Sequence, residues 1–312
     1  MTNAVVAQSG QVNGTGDPKN LYLKVYAGEV LAAFERQCVT QDKHIVRSIR
    51  NGKSAQFPMT GYVVAKYHTP GSELLGQATN QNERIITIDD MLVADVFFAD
   101  IYEQMQHFDI RGEYSKKAGY ALADAWDKVI LQLMCKAARQ PAVVTGTNGG
   151  TQLTGATAMS DAKVLANAIY SANQAMDEKD IPTSAERFAY VRPAQYYLMA
   201  QSTDLINRDW MGAGSYSDGT ILRIAGSPII KTNNLPNSNI TTGPTKYQGD
   251  FSKTAAVVAT REAAGTVKLI NPTTRADYDP RRLGHLVTSK YAIGSDWLRP
   301  DCAVEIVTAA TP

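Results

Sequence analysis

Gly52-Lys53-Ser54 is the segment of this chain that looks most like chemistry, because it reads as the end of a phosphate-binding loop, where backbone amides and a lysine cradle a nucleotide. The spacing fails. Such a loop needs a glycine five positions before its second glycine to wrap the phosphates, and that position holds Arg47. It also needs a helix to follow, whereas the residues after Ser54 read as a strand. The glycine-rich run at 145–155 (TGTNGGTQLTG) offers backbone amides as well, but it lacks the G-x-G-x-x-G pattern of a dinucleotide site and reads as a flexible linker.

His44, His68, His107 and His285 are isolated from one another and from any cysteine, so local spacing indicates neither a zinc site nor a Cys-His dyad. Each reads as a surface or interface residue. Cys38, Cys135 and Cys302 are odd in number and far apart, which fits reduced thiols better than a disulfide framework. The carboxylate groups at Asp89-Asp90 and Asp177-Glu178 flank element ends, where turn chemistry accounts for them. Arg281-Arg282 is an adjacent arginine pair and a candidate DNA-facing patch, while Tyr196, Tyr197 and Trp210 read as core or subunit-contact aromatics. No residue set calls for a cofactor or metal, and the expectation is a protein that is not an enzyme.

The elements carrying these residues alternate between types. Residues 1–20 are polar and without period and read as an arm, followed by a short amphipathic helix at 21–34. Strand-like runs at 57–67 and 84–88, joined by a Gly- and Asn-rich segment, read as a long hairpin. An isolated two-stranded hairpin is marginal in water, so this one is expected to lie on a neighbouring surface. After an apolar run at 91–98 and a connection through His107, Phe108 and Asp109 comes the clearest helix. Ala118, Leu122, Trp126, Val129, Leu133 and Ala137 form one apolar stripe that stops before Pro141. A second amphipathic helix follows a cap at Ser160 and Asp161; beyond it come a strand at 187–191, a helix at 193–201, and strand-like runs at 221–230, 254–260, 266–270, 286–293 and 303–307. The fold class is α+β.

With 31 basic against 30 acidic residues, the chain lacks the one-sided charge of a protein that grips nucleic acid along a groove. Residues 1–20 have no signal-peptide pattern and no stretch is apolar enough to span a membrane, so the expected place of synthesis and assembly is the cytoplasm.

Four segments resemble the major capsid proteins of T7-like short-tailed bacteriophages, which have the HK97-like fold. They are residues 21–34 (LYLKVYAGEVLAAF), 44–58 (HIVRSIRNGKSAQFP), 85–114 (IITIDDMLVADVFFADIYEQMQHFDIRGEY) and 290–300 (KYAIGSDWLRP), in matching order and separation. Between 146 and 284 the likeness lies in the pattern of elements. The resemblance implies an N-terminal arm at 1–50, an extended E-loop at 51–90, a P-domain at 91–159 with a spine helix at 115–139, an A-domain at 160–277, and a return to the P-domain at 278–312. It implies self-assembly into pentamers and hexamers of an icosahedral shell around double-stranded DNA. Expected partners are other copies of the chain, a scaffolding protein, a portal protein, packaged DNA held nonspecifically and a cement or decoration protein, with no membrane.

On this reading Lys53, Phe57, Tyr62 and Tyr67 are inter-subunit contacts of the E-loop, and Leu122, Trp126, Val129 and Leu133 pack the spine helix. Lys53 and Lys66 lie in the loop, but no acceptor asparagine or catalytic glutamate is marked, so no isopeptide cross-link is expected. A cargo-binding, encapsulin-like compartment of the same fold and a soluble enzyme using the glycine-rich segments are the competing readings.

Overall fold

The computed structural model describes residues 38–74, 76–101, 110–202 and 223–309. The helix expected at 21–34, the connection through His107, and Trp210 lie outside the described residues. In chain order the elements are β1 (Ile45–Ser48), β2 (Ser54–Thr60), β3 (Gln81–Thr87), β4 (Leu92–Ala99), α1 (Ile110–Ala138), β5 (Thr151–Thr154), α2 (Ala162–Asp177), β6 (Arg187–Val191), α3 (Pro193–Ala200), β7 (Arg223–Ile224), β8 (Ser227–Lys231), β9 (Asn239–Ile240), β10 (Gly249–Asp250), β11 (Thr254–Thr260), β12 (Ala264–Asp279), β13 (Gly284–Trp297) and β14 (Ala303–Val307).

Two compact units share these elements. The first holds residues 89–126 and 269–293 of the described chain, and the second holds 39–88, 127–268 and 294–309. In the first, β13 runs antiparallel to β4, from Gly284 opposite Ala99 to Tyr291 opposite Leu92. Phe97, Phe98, Val287 and Tyr291 are buried there, and the Tyr291 hydroxyl donates to the Leu122 carbonyl of α1 (3.4 Å).

The second unit is built on a six-stranded sheet of order β5-β14-β11-β6-β8-β7. β11 and β14 are buried along their whole length. That explains why they read as unbroken apolar runs: a strand covered on both faces has no solvent side on which to alternate. α2 packs its Leu165, Ile169, Ala172 and Met176 face inward. Its N-cap is Asp161, which accepts from the Lys163 and Val164 amides and so satisfies two otherwise orphaned donors.

Two sequence expectations change. Of the run expected at 221–230, the described part from 223 is a tight hairpin: Ala225 (φ 49°) and Gly226 (φ 78°) are both left-handed, the geometry of a type I′ turn, and β7 folds back on β8. The linker at 145–155 contains β5, a polar strand that exists because β14 offers it a parallel ladder, Val304 to Thr151 through Val307 to Thr154. Strand β1 likewise pairs parallel with β12, Ile45 with Gly265 through Ser48 with Lys268.

Candidate functional site

The hairpin of β2 and β3 divides into a base that belongs to the chain's own core and a tip that does not. β2 alternates, and its inward residues Ala55 and Phe57 join Ile86, Val267 and Leu298 in a buried cluster. The Arg47 guanidinium covers the Phe57 ring at 4.3 Å and donates to the Gln56 carbonyl at 2.8 Å. Phe57, expected on a neighbouring subunit, is therefore corrected to an intrachain core residue, 7% exposed. Its strand pairs with β3 in a register that leaves every other β2 side chain facing Val267 and Leu298, so the ring is already covered.

Arg84 of β3 locks the base a second time, stacking 3.5 Å over the Trp297 ring and pairing with Asp296 at 2.9 Å. Burial raises the Asp296 carboxyl above its usual range, while the Arg84 charge opposes that shift. A Cβ on Gly294 would run into the Thr87 carbonyl, so only glycine lets β13 pass this close to the hairpin. Asn80 and Asn82 donate to the carbonyls of Thr145 (3.0 Å) and Val143 (2.6 Å), fastening the other end of the base.

Beyond Gly61 the chain has little of its own to lie on. Residues 62–74 and 76–80 are all exposed. Tyr62 is 60% exposed, Tyr67 106%, and Val63, Val64 and Leu74 are open as well. Across this segment the Gly61 amide donates to the Asn80 carbonyl (2.8 Å), the Gln77 side chain to the Val64 carbonyl (2.6 Å), and Ser72 closes a local turn on the Thr69 carbonyl (2.7 Å). The anchored base thus carries a run of large apolar side chains that the described chain leaves in water. Lys53 is exposed at the other end of the hairpin, after a turn at Gly52 (φ 112°), and its carbonyl accepts the Ile88 amide. Because β2 starts at Ser54, the Gly52-Lys53-Ser54 segment has a strand where a phosphate-binding loop has a helix.

Of the spine-helix residues, Leu122, Trp126 and Leu133 are buried and Val129 is half-buried. Within the second unit, Ile130, Leu131, Met134 and Cys135 are fully buried too, so this end of α1 is covered nearly all round. Asp127 is also wholly buried: its Oδ1 accepts from the Val39 amide (3.1 Å), the Thr40 amide (3.0 Å) and the Thr40 hydroxyl (2.7 Å), and its Oδ2 from Asn234 (2.8 Å). It ties the start of the described chain to the helix.

Glu305, at the centre of β14, is a second buried carboxylate. Arg139 grips it through two bonds of 2.7 Å, and Thr254 (2.6 Å) and Gln152 (2.9 Å) complete the set. Burial works against the Arg139 charge, but the bonds and charge of Glu305 outweigh it and hold the guanidinium above its usual pKa. Neither carboxylate was singled out from sequence. The available signal was a lone acid inside an apolar run (AVEIV for Glu305), which implies a buried partner.

His44, expected as a surface or interface residue, is fully buried within the chain. Its ring sits under the turn it terminates, with Nδ1 2.7 Å from the Thr40 carbonyl. His68 is exposed, and His285 lies against the Tyr278 ring at 5.1 Å. Tyr196 is buried and Tyr197 half-exposed, both close to the Lys231 ammonium. Arg281 and Arg282 are exposed at the turn between β12 and β13, where Arg282 lies 3.8 Å from Asp279, so the pair's charge is partly answered locally. Among the described residues no group of three or more His, Cys, Asp or Glu side chains is arranged to hold a metal. No described helix is long and apolar enough to cross a membrane.

Comparison with known proteins finds phage capsid proteins. Residues 56–307 match the family model Gp10A-like, major capsid protein. The major capsid protein of Escherichia phage T7 is 30% identical over 96% of this chain and 95% of its own length. The capsid structure of cyanophage P-SCSP1u superposes with a TM-score of 0.85 at 36% identity, covering 99% of this chain and 100% of that one. The mature capsid of bacteriophage PhiM1 superposes with a TM-score of 0.79 at 20% identity over 93% of each chain, which speaks for the HK97-like fold.

Proposed function

The chain belongs to the Gp10A-like family of major capsid proteins and is a subunit of the icosahedral shell of a tailed phage, and we propose that its hairpin tip is the element that fastens one subunit to the next. The supporting observation is the contrast within one hairpin: Phe57 and Ile86 are buried at the base, while Tyr62, Val63, Val64 and Tyr67 stand in water. A tip laid across the adjacent copy, in the head-to-tail contacts that close a ring, covers those side chains and pairs its extended backbone. Rings of five and six follow from the same contact if the arm and loop adjust. Contacts repeated around every ring act together, so no single one has to be strong.

In this reading the arm is 1–50, the E-loop 51–90, the P-domain 91–159 and 278–312, and the A-domain 160–277. Assembly takes place in the host cytoplasm on a scaffolding protein, with a portal at one vertex and a cement or decoration protein as a further partner. Double-stranded DNA then fills the shell and meets the inner wall nonspecifically, with Arg281 and Arg282 as the candidate basic contact. The chain acts by assembly and catalyses no reaction. Boiled shells run as monomers on denaturing gels, since Lys53 and Lys66 form no isopeptide bond. The compartment reading has no observation in its favour, as the relatives described above are phage capsid proteins.

The test is the Tyr62→Ser/Tyr67→Ser variant, followed by sedimentation. The expected result is a folded subunit that stays small under conditions where the parent chain forms shells. Shells formed at the parent yield would overturn the role of the tip.

A further inference from the structure

Strand β12 is paired on its outer edge only at its start. Strand β1 covers Gly265 to Lys268, and among the described residues nothing pairs with that edge from Leu269 to Asp279. Within that stretch residues 271–278 are all exposed. A long open strand edge is a template for another strand.

The backbone parity and the sequence of this edge point to one occupant. The Ile49 amide donates to the Lys268 carbonyl (2.9 Å), so Lys268 directs its peptide groups outward. Alternation then sends the peptide groups of Ile270, Pro272, Thr274, Ala276 and Tyr278 to the same edge. Pro272, which has no N–H, thus sits where a proline is tolerated, on an open edge. About Ala276 the sequence is self-complementary when read antiparallel. Arg275 falls opposite Asp277 and Asp277 opposite Arg275, with Pro272 opposite Pro280 closing the window at both ends.

We propose that β12 pairs antiparallel with β12 of a second copy across a two-fold axis centred on Ala276. This rests on the shell reading above and gives the contact between rings, where the tip gives the contact within them. A two-fold contact is isologous, so each pair away from the axis occurs twice. Ala276 meets Ala276 as a hydrogen-bonded pair. Arg275 and Asp277 fall in the intervening non-hydrogen-bonded pairs, where side chains come closest. Two opposite-charge pairs per axis set the register, and the prolines stop the ladder from running on.

Charge exchange tests this. Arg275→Asp alone and Asp277→Arg alone each place like charges across the axis, and the expected shell yield falls about tenfold or more with subunit melting unchanged. The double variant restores opposite charges with their positions exchanged and is expected to recover most of the yield. Single variants that assemble normally, or a double variant no better than the singles, would overturn the pairing. In assembled Ala276→Cys shells a short thiol cross-linker should give a dimer band that the parent chain lacks; absence of that band also overturns it. Should the charge variants all assemble while Tyr62→Ser/Tyr67→Ser does not, the β12 pairing is wrong and the role of the tip stands.

Discussion

Arg139 and Glu305 face each other in a two-bond grip, each N–H···O distance 2.7 Å, with the Glu305 side chain entirely buried. Both leave water, so the pair's net worth is modest, but removing one partner strands the other. Glu305→Gln is therefore expected to lower subunit stability by about 3–5 kcal/mol in urea unfolding. A loss below about 1 kcal/mol would mean that the guanidinium finds water or another acceptor.

His44 makes stability depend on pH. Burial, aided by the nearby Lys268 and Arg261 charges and opposed by the Thr40 carbonyl and Asp127, brings its pKa down from 6.5 to about 4. Between those values the unfolded chain binds a proton that the folded chain refuses, so this contribution is complete above pH 6.5 and is lost as pH falls toward 4. The size is roughly 3 kcal/mol from the linkage relation. His44→Asn, which keeps a donor for the Thr40 carbonyl, should flatten that part of the curve in denaturation runs at pH 7, 5.5 and 4.5. An unchanged slope would assign it to other groups.

Asp127 collects four donors on one buried carboxylate. In Asp127→Asn the amide nitrogen must face either Thr40 or Asn234, donor to donor. A loss of about 1–3 kcal/mol is expected, read as a lower melting temperature, with exchange of the Val39 and Thr40 amides rising first.

Phe57 and Tyr67 lie in the same hairpin and should fail in opposite ways. Phe57→Ala opens a cavity in the core and is expected to cost the subunit about 3–5 kcal/mol. Tyr67→Ser removes a side chain in water, so subunit melting stays put while assembly weakens. Equal effects on melting would erase the distinction between base and tip.

Much of the architecture was legible because it rests on local pattern. The expected strands at 187–191, 254–260 and 303–307 coincide with β6, β11 and β14, which are apolar runs bounded by turn residues. The long helix, expected over 115–139, runs Ile110–Ala138; its stripe becomes regular only from Ala118, so the start gave no periodic signal. What escaped depends on partners far along the chain. β5 is polar and is a strand through β14, and His44 is buried by a turn and by groups more than two hundred residues away, such as Arg261. Phe57 and Tyr62 look alike in sequence, both aromatics in one hairpin, and only Val267 and Leu298 decide that the first is core.

The most direct test of the account is negative-stain electron microscopy of the purified chain, with and without a candidate scaffolding protein. Closed shells, or rings of five and six, are the expected result. A single small oligomer under both conditions would contradict the claim that this chain builds a shell.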